Sequence, residues 1–306
     1  MSRTRSRRIA ATALAAAALL AMAACGGNDS ARHAAGGTTA PGTSGTAAPA
    51  VDALAAVQKR TSAVHSARSD GKVTVGSLAT LTLKGTTDWA HGPLGTLTVT
   101  YTGGSNIGIL RQGGMSTTTE TRYLPDAFYT DMGPAVARQD GGKEWLKKGY
   151  NGLGKDVDDF GVAVPDQLDK ASPTQELDLA IASPDVHEVG RETVRGVPAT
   201  HYRGTVRPAD LARRVPHVTD ADRAALRKQF AASRTTAEQV DLWISADHLP
   251  VQVTSRATTG DGTLQIAVHY SDYGVAVHPQ APPAAKTLDY EQVMKESRPA
   301  TTPPAA

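Results

Sequence analysis

The chain has 306 residues, of which 40% are hydrophobic, 5% aromatic and 20% charged, with a formal net charge of +2 at pH 7. Four of its 32 basic residues lie at the N-terminus, at Arg3, Arg5, Arg7 and Arg8. The rest of the chain has 28 basic and 30 acidic residues, and it lacks the basic stripe typical of nucleic-acid binding. The single cysteine excludes an internal disulfide, and the low aromatic content argues against a groove that stacks sugars.

The N-terminal segment has the three parts of a secretory signal. Four arginines precede an apolar, alanine-rich run that starts at Ile9, and small residues then lead to Cys25. The string Met22-Ala23-Ala24-Cys25 resembles the lipobox of bacterial lipoproteins, with Met22 in place of the usual leucine. The resemblance implies that Cys25 is diacylated on sulfur, by fatty acids such as palmitate, and becomes the mature N-terminus.

Two other interpretations of this segment remain open, an ordinary signal peptide that contains a cysteine and a transmembrane helix. The apolar run is shorter than the roughly 20 residues that span a bilayer. Acylation would also remove the liability of a lone exposed thiol, and two acyl chains anchor a protein stably at about 0.8 kcal/mol per buried methylene. Arg7-Arg8 leaves export by a twin-arginine route open.

Composition predicts where the folded part begins and ends. Residues 26–50 are built from Gly, Ala, Thr, Ser and Pro, which bury too little surface to offset their ordering entropy. Residues 297–306 have the same character. We therefore predict a signal peptide at 1–24, the lipidated cysteine with a flexible tether at 25–50, one domain at 51–296 and a disordered tail at 297–306.

The first half of this domain predicts a helix followed by a meander of strands. Val51–Ala67 has apolar residues largely on one face of a helix. The segments after it alternate apolar residues with threonine, the pattern of half-buried antiparallel strands, and Gly or Pro separates them. The predicted strands centre on 73–75, 81–89, 97–101, 107–109 and 117–123.

The second half predicts a helix, two strands, two short helices and three closing strands. Ser172-Pro173-Thr174-Gln175 is typical of a capping box, and Ser183-Pro184 would end the helix that it starts. Pro208 opens one short helix and Thr219 caps the other. Asp261-Gly262 is typical of a tight hairpin turn. The predicted strands are 186–194, 199–206, 239–245, 251–257 and 264–273.

No catalytic constellation is evident, and we predict no enzymatic activity, no metal site and no cofactor. The chain has no Gly-x-Ser-x-Gly elbow, no P-loop and no metal-ligand spacing among its histidines. The acidic cluster Asp156, Asp158 and Asp159 lacks the other features of a calcium loop. Arg213-Arg214 is compatible with a phosphate or with a solvated helix end. Six aromatic residues are candidates for lining a cavity or for plain core: Trp89, Trp145, Trp243, Phe128, Phe160 and Phe230.

Several strings together resemble actinobacterial cell-envelope lipoproteins of the LppX/LprG type, which are related in fold to the carrier LolA. Besides the lipobox they are Thr86-Thr87-Asp88-Trp89, Tyr129-Thr130-Asp131, Lys143-Glu144-Trp145, Gly196-Val197-Pro198-Ala199-Thr200-His201-Tyr202, Val240-Asp241-Leu242-Trp243-Ile244, Leu249-Pro250 and Tyr270-Ser271-Asp272-Tyr273-Gly274. The resemblance implies an α+β fold in which a curved antiparallel sheet, a half-barrel, wraps around helices and encloses an apolar cavity. Of functional residues, only Cys25 carries over.

Three functions compete at this point. The first is a lipid-binding or lipid-transfer lipoprotein at the extracytoplasmic face of the cell membrane, with a lipid or glycolipid as its ligand. The second is a non-enzymatic interaction protein, chaperone or sensor of the envelope, with a protein partner and no lipid ligand. The third is a hydrolase with dispersed catalytic residues. A cavity would favour the first function and a packed centre the second, since one fold serves unrelated functions.

Overall fold

The computed structural model describes residues 47–90, 94–150, 173–212, 218–260 and 262–297. Within these ranges the chain forms two compact units. The first contains residues 64–150 and 270–297, and the second contains residues 47–63 and 173–269. Cys25, the acidic cluster at 156–159, Phe160, Arg213-Arg214 and Asp261 lie outside the described residues.

The first unit is a sheet with strand order β12-β6-β5-β4-β3-β2-β1. Its neighbouring strands are antiparallel except for β12, which runs parallel to β6. The strands are β1 Ser66–Val75, β2 Ala79–Asp88, β3 Leu94–Gly103, β4 Thr118–Tyr123, β5 Ala127–Asp131, β6 Trp145–Gly149 and β12 Thr287–Asp289. The helices are α2 Ser105–Gln112, α3 Gly133–Gln139 and α6 Tyr290–Ser297, with a short 3₁₀ helix at Ala284–Lys286.

The second unit combines a sheet of order β11-β10-β9-β8-β7 with three helices. All of its neighbouring strands are antiparallel. The strands are β7 His187–Val194, β8 Val197–Val206, β9 Ala237–Ser245, β10 Pro250–Thr259 and β11 Gly262–Ser271. The helices are α1 Ala47–Val64, α4 Thr174–Ala182 and α5 Asp220–Ala232, with a 3₁₀ helix at Asp210–Ala212. The predicted α+β class, built on antiparallel strands, is therefore confirmed.

Two glycines allow the backbones of β2 and β3 to approach closely in the first unit. Gly85 pairs with Leu97, and Gly95 pairs with Thr87. A Cβ on Gly95 would lie 2.5 Å from the Thr86 carbonyl oxygen, and one on Gly85 would overlap the carbonyl oxygen of Thr96. Glycine is required at these positions because no side chain fits between the two backbones.

The sheet of the second unit has one apolar and one polar face. The register places Val240, Leu242, Val253 and Val268 on the same face, and helix α4 packs against β8 and β9. Leu177 and Leu179 of α4 are fully buried. The opposite face carries polar residues, among them His201, Arg203, Asp241, Gln252 and His269. Burial of the apolar face beneath a helix is the usual way in which such a unit forms a core.

Most of the predicted elements are present, with shifted ends. Helix α1 begins at Ala47 rather than Val51, because the alanines before Val51 are good helix formers. It ends at Val64, where His65 adopts φ 64° and the predicted helical residues Ser66 and Ala67 enter β1 instead. Thr219 caps α5 as predicted, accepting a hydrogen bond from the backbone N–H of Asp222.

The predicted strand at 107–109 is wrong, because this segment lies in helix α2. Asn106 and Leu110 are its buried residues, and their spacing of four fits a helix, whereas Ile109 is 45% exposed. The alternation of Ile107, Gly108 and Ile109 resembles a strand only over three residues. The sequence analysis also did not identify β5, α3, β6, β12 and α6.

Helix α4 ends as predicted but begins without the predicted capping box. It starts at Thr174, with Pro173 at the N-cap position and no side chain capping its N-terminus, and Ser172 lies outside the described residues. It stops at Ala182, before Ser183-Pro184.

In the part of the chain that the structure describes, no helix is both long and apolar enough to cross a membrane.

Candidate functional site

A polar groove lies between helices α1, α4 and α5 within the second unit. Its volume is about 620 Å³, which is within the range of small-molecule sites. The helices contribute one polar residue or more each, and small residues of α1 complete the wall. The lining residues are Ala55, Ala56, Gln58, Lys59, Ser62, Thr174, Asp178 and Asp222.

Asp178 is a half-buried carboxylate in this groove. Its Oδ1 accepts a hydrogen bond of 2.5 Å from the side-chain amide of Gln58, which lies 120 residues away in the sequence. Burial, followed by the negative charge of Asp222, raises the pKa of Asp178 to about 7 against the opposing effect of the Gln58 hydrogen bond. Near neutral pH this carboxylate is therefore partly protonated.

Asp222 and Lys59 are exposed at the groove. Asp222 also lies in the first turn of α5, where it is linked to the capping residue Thr219 through both its backbone N–H and its side chain. A carboxylate in this position interacts favourably with the helix dipole. The groove therefore presents two acidic groups and one basic group to a ligand.

Sequence analysis missed this groove. One signal was available, because Asp178 is a charged residue inside the otherwise apolar run from Leu177 to Ala182. A charge on the apolar stretch of a buried helix is unusual unless it is paired or functional. The Gln58 partner was not predictable, because it lies on a helix far away in the sequence.

A second polar cluster surrounds His201 on the polar face of the second unit's sheet. His201 is 3% exposed, and its ring nitrogens lie 2.9 Å from Glu192 Oε1 and 2.7 Å from Asp241 Oδ1. Arg203 Nε donates to the same Asp241 oxygen at 2.6 Å. The indole of Trp243 stacks on the His201 ring with centroids 4.3 Å apart.

This cluster is fully satisfied and lacks the features of a reactive site. Gln239 donates to the second oxygen of Asp241, and Trp243 Nε1 donates to Glu192. Burial alone would raise the pKa of Asp241, but hydrogen bonds from Gln239, His201 and Arg203 hold it below its usual value. We interpret the cluster as a structural hydrogen-bond network that links β7, β8 and β9, because its polar groups bond to one another.

Two of the strings that carry the family resemblance meet in this cluster, first Gly196–Tyr202 and second Val240–Ile244. The register pairs His201 of the first string with Trp243 of the second, and Arg203 with Asp241. The turn between β7 and β8 is tight, with Arg195 at φ 49° and Gly196 at φ 85°. The strings therefore identify a structural hairpin and its partner strand.

The candidate aromatic residues are mainly core. Phe128 and Trp145 are buried in the first unit, and Phe230 is buried in the second. Trp89 and Trp243 are half-buried, and Trp89 makes an edge contact with Tyr273 at 6.4 Å between ring centroids. Across the described ranges, no three His, Cys, Asp or Glu side chains are placed to hold a metal ion.

No family model matches the chain. Its relatives include an uncharacterized 31.2 kDa protein of Streptomyces griseus, 37% identical over 246 residues, which cover 80% of this chain and 81% of the relative. A Streptomyces coelicolor protein named as a lipoprotein is 34% identical over 307 residues, covering 96% of this chain and 98% of the relative.

Matches among solved structures include two mycobacterial proteins, the second of them a lipoprotein. LprF from Mycobacterium bovis has 16% sequence identity and a TM-score of 0.43, with 77% of this chain and 97% of LprF covered. LppX from Mycobacterium tuberculosis has 14% identity and a TM-score of 0.43, with 75% of this chain and 99% of LppX covered.

The predicted resemblance to actinobacterial lipoproteins is confirmed by the Streptomyces coelicolor relative. The identity to the Streptomyces proteins extends over most of each sequence. The chain therefore belongs to the same family as these two Streptomyces proteins, one of which is named as a lipoprotein.

Proposed function

We propose that the protein is a lipoprotein anchored through Cys25 at the extracytoplasmic face of the cell membrane, and that its folded part binds a lipid or glycolipid without enzymatic activity. The observation that carries the anchor is the string Met22-Ala23-Ala24-Cys25 behind an apolar run. The family relationship supports it, because the relative named as a lipoprotein is matched over 98% of its length.

The lipid ligand rests on the resemblance to LppX/LprG-type proteins and on the chemistry of acyl chains. An acyl chain requires apolar surface and no catalytic group, so the satisfied state of the His201 cluster is compatible with this function. Transfer between membranes would be a further property of the same protein.

A second candidate is an envelope interaction protein without a lipid ligand. The packing of the second unit favours it, because Leu177, Leu179 and Ile181 of α4 are at most 2% exposed and Phe230 of α5 is equally buried. This part of the interior is filled by the protein's own side chains.

Native mass spectrometry of the full-length lipoprotein, extracted from its membrane in a mild detergent, tests the lipid ligand. We expect a mass above that of the anchored protein by one lipid, which solvent extraction removes and added envelope lipids restore. An unrelated lipoprotein purified in the same way is the control. The anchored mass alone, with no uptake of added lipids, would contradict lipid binding and support the interaction protein.

A further inference from the structure

We propose that the groove between α1, α4 and α5 binds a small ligand that carries a primary ammonium group next to an anionic group, the chemistry shared by the phosphatidylethanolamine head group and free phosphoethanolamine. This inference goes beyond the anchor and the acyl ligand and depends on neither, because the groove lies wholly within the second unit.

The carboxylate of Asp178 accepts few hydrogen bonds from the protein. An ionised carboxylate has about four lone-pair positions for donors. Among the described residues, one neutral donor contacts it, the Gln58 amide. No described ion pair connects Lys59 with either acid. A half-buried carboxylate in this state gains more from an incoming ammonium group than an exposed one does, because the local dielectric constant is lower.

The positions of the charges indicate the orientation of such a ligand. Asp178 and Asp222 act together on a cation, since the negative charge of Asp222 raises the electrostatic cost of ionising Asp178. Lys59 comes from α1 and adds one positive charge to the groove. An ammonium group would face the two carboxylates, and the anionic group of the same ligand would face Lys59.

The groove lacks the usual side chains of a metal site. It has two carboxylates, and among the described residues no three His, Cys, Asp or Glu side chains are placed to hold a metal ion. Ser62 provides a hydroxyl group that can donate to or accept from a polar ligand. With a volume of about 620 Å³ the groove has room for a head group of this size.

Isothermal titration of the full-length lipoprotein in uncharged detergent micelles tests the proposal, with phosphoethanolamine, ethanolamine and glycerol phosphate as probes. We expect phosphoethanolamine to bind, ethanolamine to bind more weakly and glycerol phosphate, which has no ammonium group, to bind at least tenfold more weakly. The proposal would be overturned if glycerol phosphate bound as tightly as phosphoethanolamine. It would also be overturned if neither amine bound at concentrations on the order of 10 mM.

Matched variants assign the binding to the groove. Asp178→Asn keeps the acceptor for Gln58 but removes the charge, and we expect it to weaken phosphoethanolamine binding at least tenfold. Asp52→Asn removes an exposed charge from α1 outside the groove and should leave binding unchanged. Lys59→Gln should abolish the preference for phosphoethanolamine over ethanolamine. If Asp178→Asn, shown to be folded by circular dichroism, binds like the wild type, the assignment is wrong.

A last arm identifies the source of the ligand. Native mass spectrometry from micelles that contain phosphatidylethanolamine or phosphatidylglycerol shows whether the intact lipid is held. A phosphatidylethanolamine adduct that Asp178→Asn lacks assigns the groove to a lipid head group. Binding of phosphoethanolamine without such an adduct assigns it to the free compound. A lipid adduct that persists in Asp178→Asn reports the acyl ligand of the proposed function instead.

Discussion

Asp178 connects the chemistry of the groove to the stability of the second unit. Its pKa is about 7 in the folded protein, against a usual value of 3.8. Between these two values the folded protein holds a proton that the unfolded chain has released. The free energy of unfolding therefore falls as the pH rises through this window and levels off above pH 7.

We expect Asp178→Asn to remove this component of the pH dependence. The variant keeps the Gln58 hydrogen bond but has no charge to bury, so it should be more stable than the wild type at pH 8 and similar to it at pH 4. Urea denaturation at pH 4, 6 and 8 measures the difference. Asp52→Asn is the control, because Asp52 is exposed on α1. A wild-type slope in Asp178→Asn would show that another group causes it.

Asp241 has the opposite dependence. Its pKa is lowered in the folded protein, so its contribution to stability is present above its unfolded pKa and is lost as the pH falls through its folded pKa. Asp241→Asn keeps the side-chain shape but withdraws a charged acceptor from His201 and Arg203.

We expect Asp241→Asn to cost about 2–3 kcal/mol at pH 7, because hydrogen bonds to a charged group are lost in a buried position. The loss should shrink towards pH 3. Thermal or urea denaturation at both pH values measures it. The control is Glu188→Gln, an exposed change on strand β7. A loss below about 0.5 kcal/mol at pH 7 would mean that the cluster does not tie the strands together.

Helix α2 is an element whose type depends on packing more than on local sequence. Gly108 lies inside this helix, and a Cβ at its position would have no neighbour within 4 Å. Glycine in a helix interior is less favourable than alanine, because it loses more backbone entropy on folding. Alanine at this position would therefore fit the helix and make the folded protein more stable.

We expect Gly108→Ala to raise the free energy of unfolding by about 0.5–1 kcal/mol. Gly85→Ala is the matched comparison, and there the new methyl group would overlap the backbone of β3 and lower stability by about 1–3 kcal/mol. Chemical denaturation of both variants measures the pair. A destabilising Gly108→Ala would contradict the helical assignment of 105–112.

At the scale of the whole molecule, the predicted anchor decides where the protein resides. We expect wild-type protein to incorporate labelled palmitate and to partition into a detergent phase, and Cys25→Ser to do neither, because no other cysteine exists in the chain. Met22→Leu restores the usual lipobox residue and should be lipidated at least as well as the wild type. Labelled palmitate in Cys25→Ser would place the modification elsewhere.

Local sequence signals predicted many of the elements of both units. Threonine alternation identified β2 and β3, the Thr219 cap identified α5, and Ser183-Pro184 marked the end of α4. These signals succeed because they act over a few residues, through side-chain alternation, a capping hydrogen bond or a proline that cannot continue a helix. The signal at 107–109 failed because three residues do not distinguish a period of 2 from one of 3.6.

By itself, the sequence determined the predicted lipobox at Cys25, the antiparallel strands and the absence of any recognisable catalytic motif. Tertiary structure alone decided which polar groups meet. Gln58 and Asp178 are 120 residues apart, and His201 and Asp241 are 40 apart, yet each pair forms a hydrogen bond. The pKa of a carboxylate depends on its burial and on charges within a few ångströms. Neither burial nor nearby charge can be read from the residues next to it in sequence, because both depend on how distant segments pack.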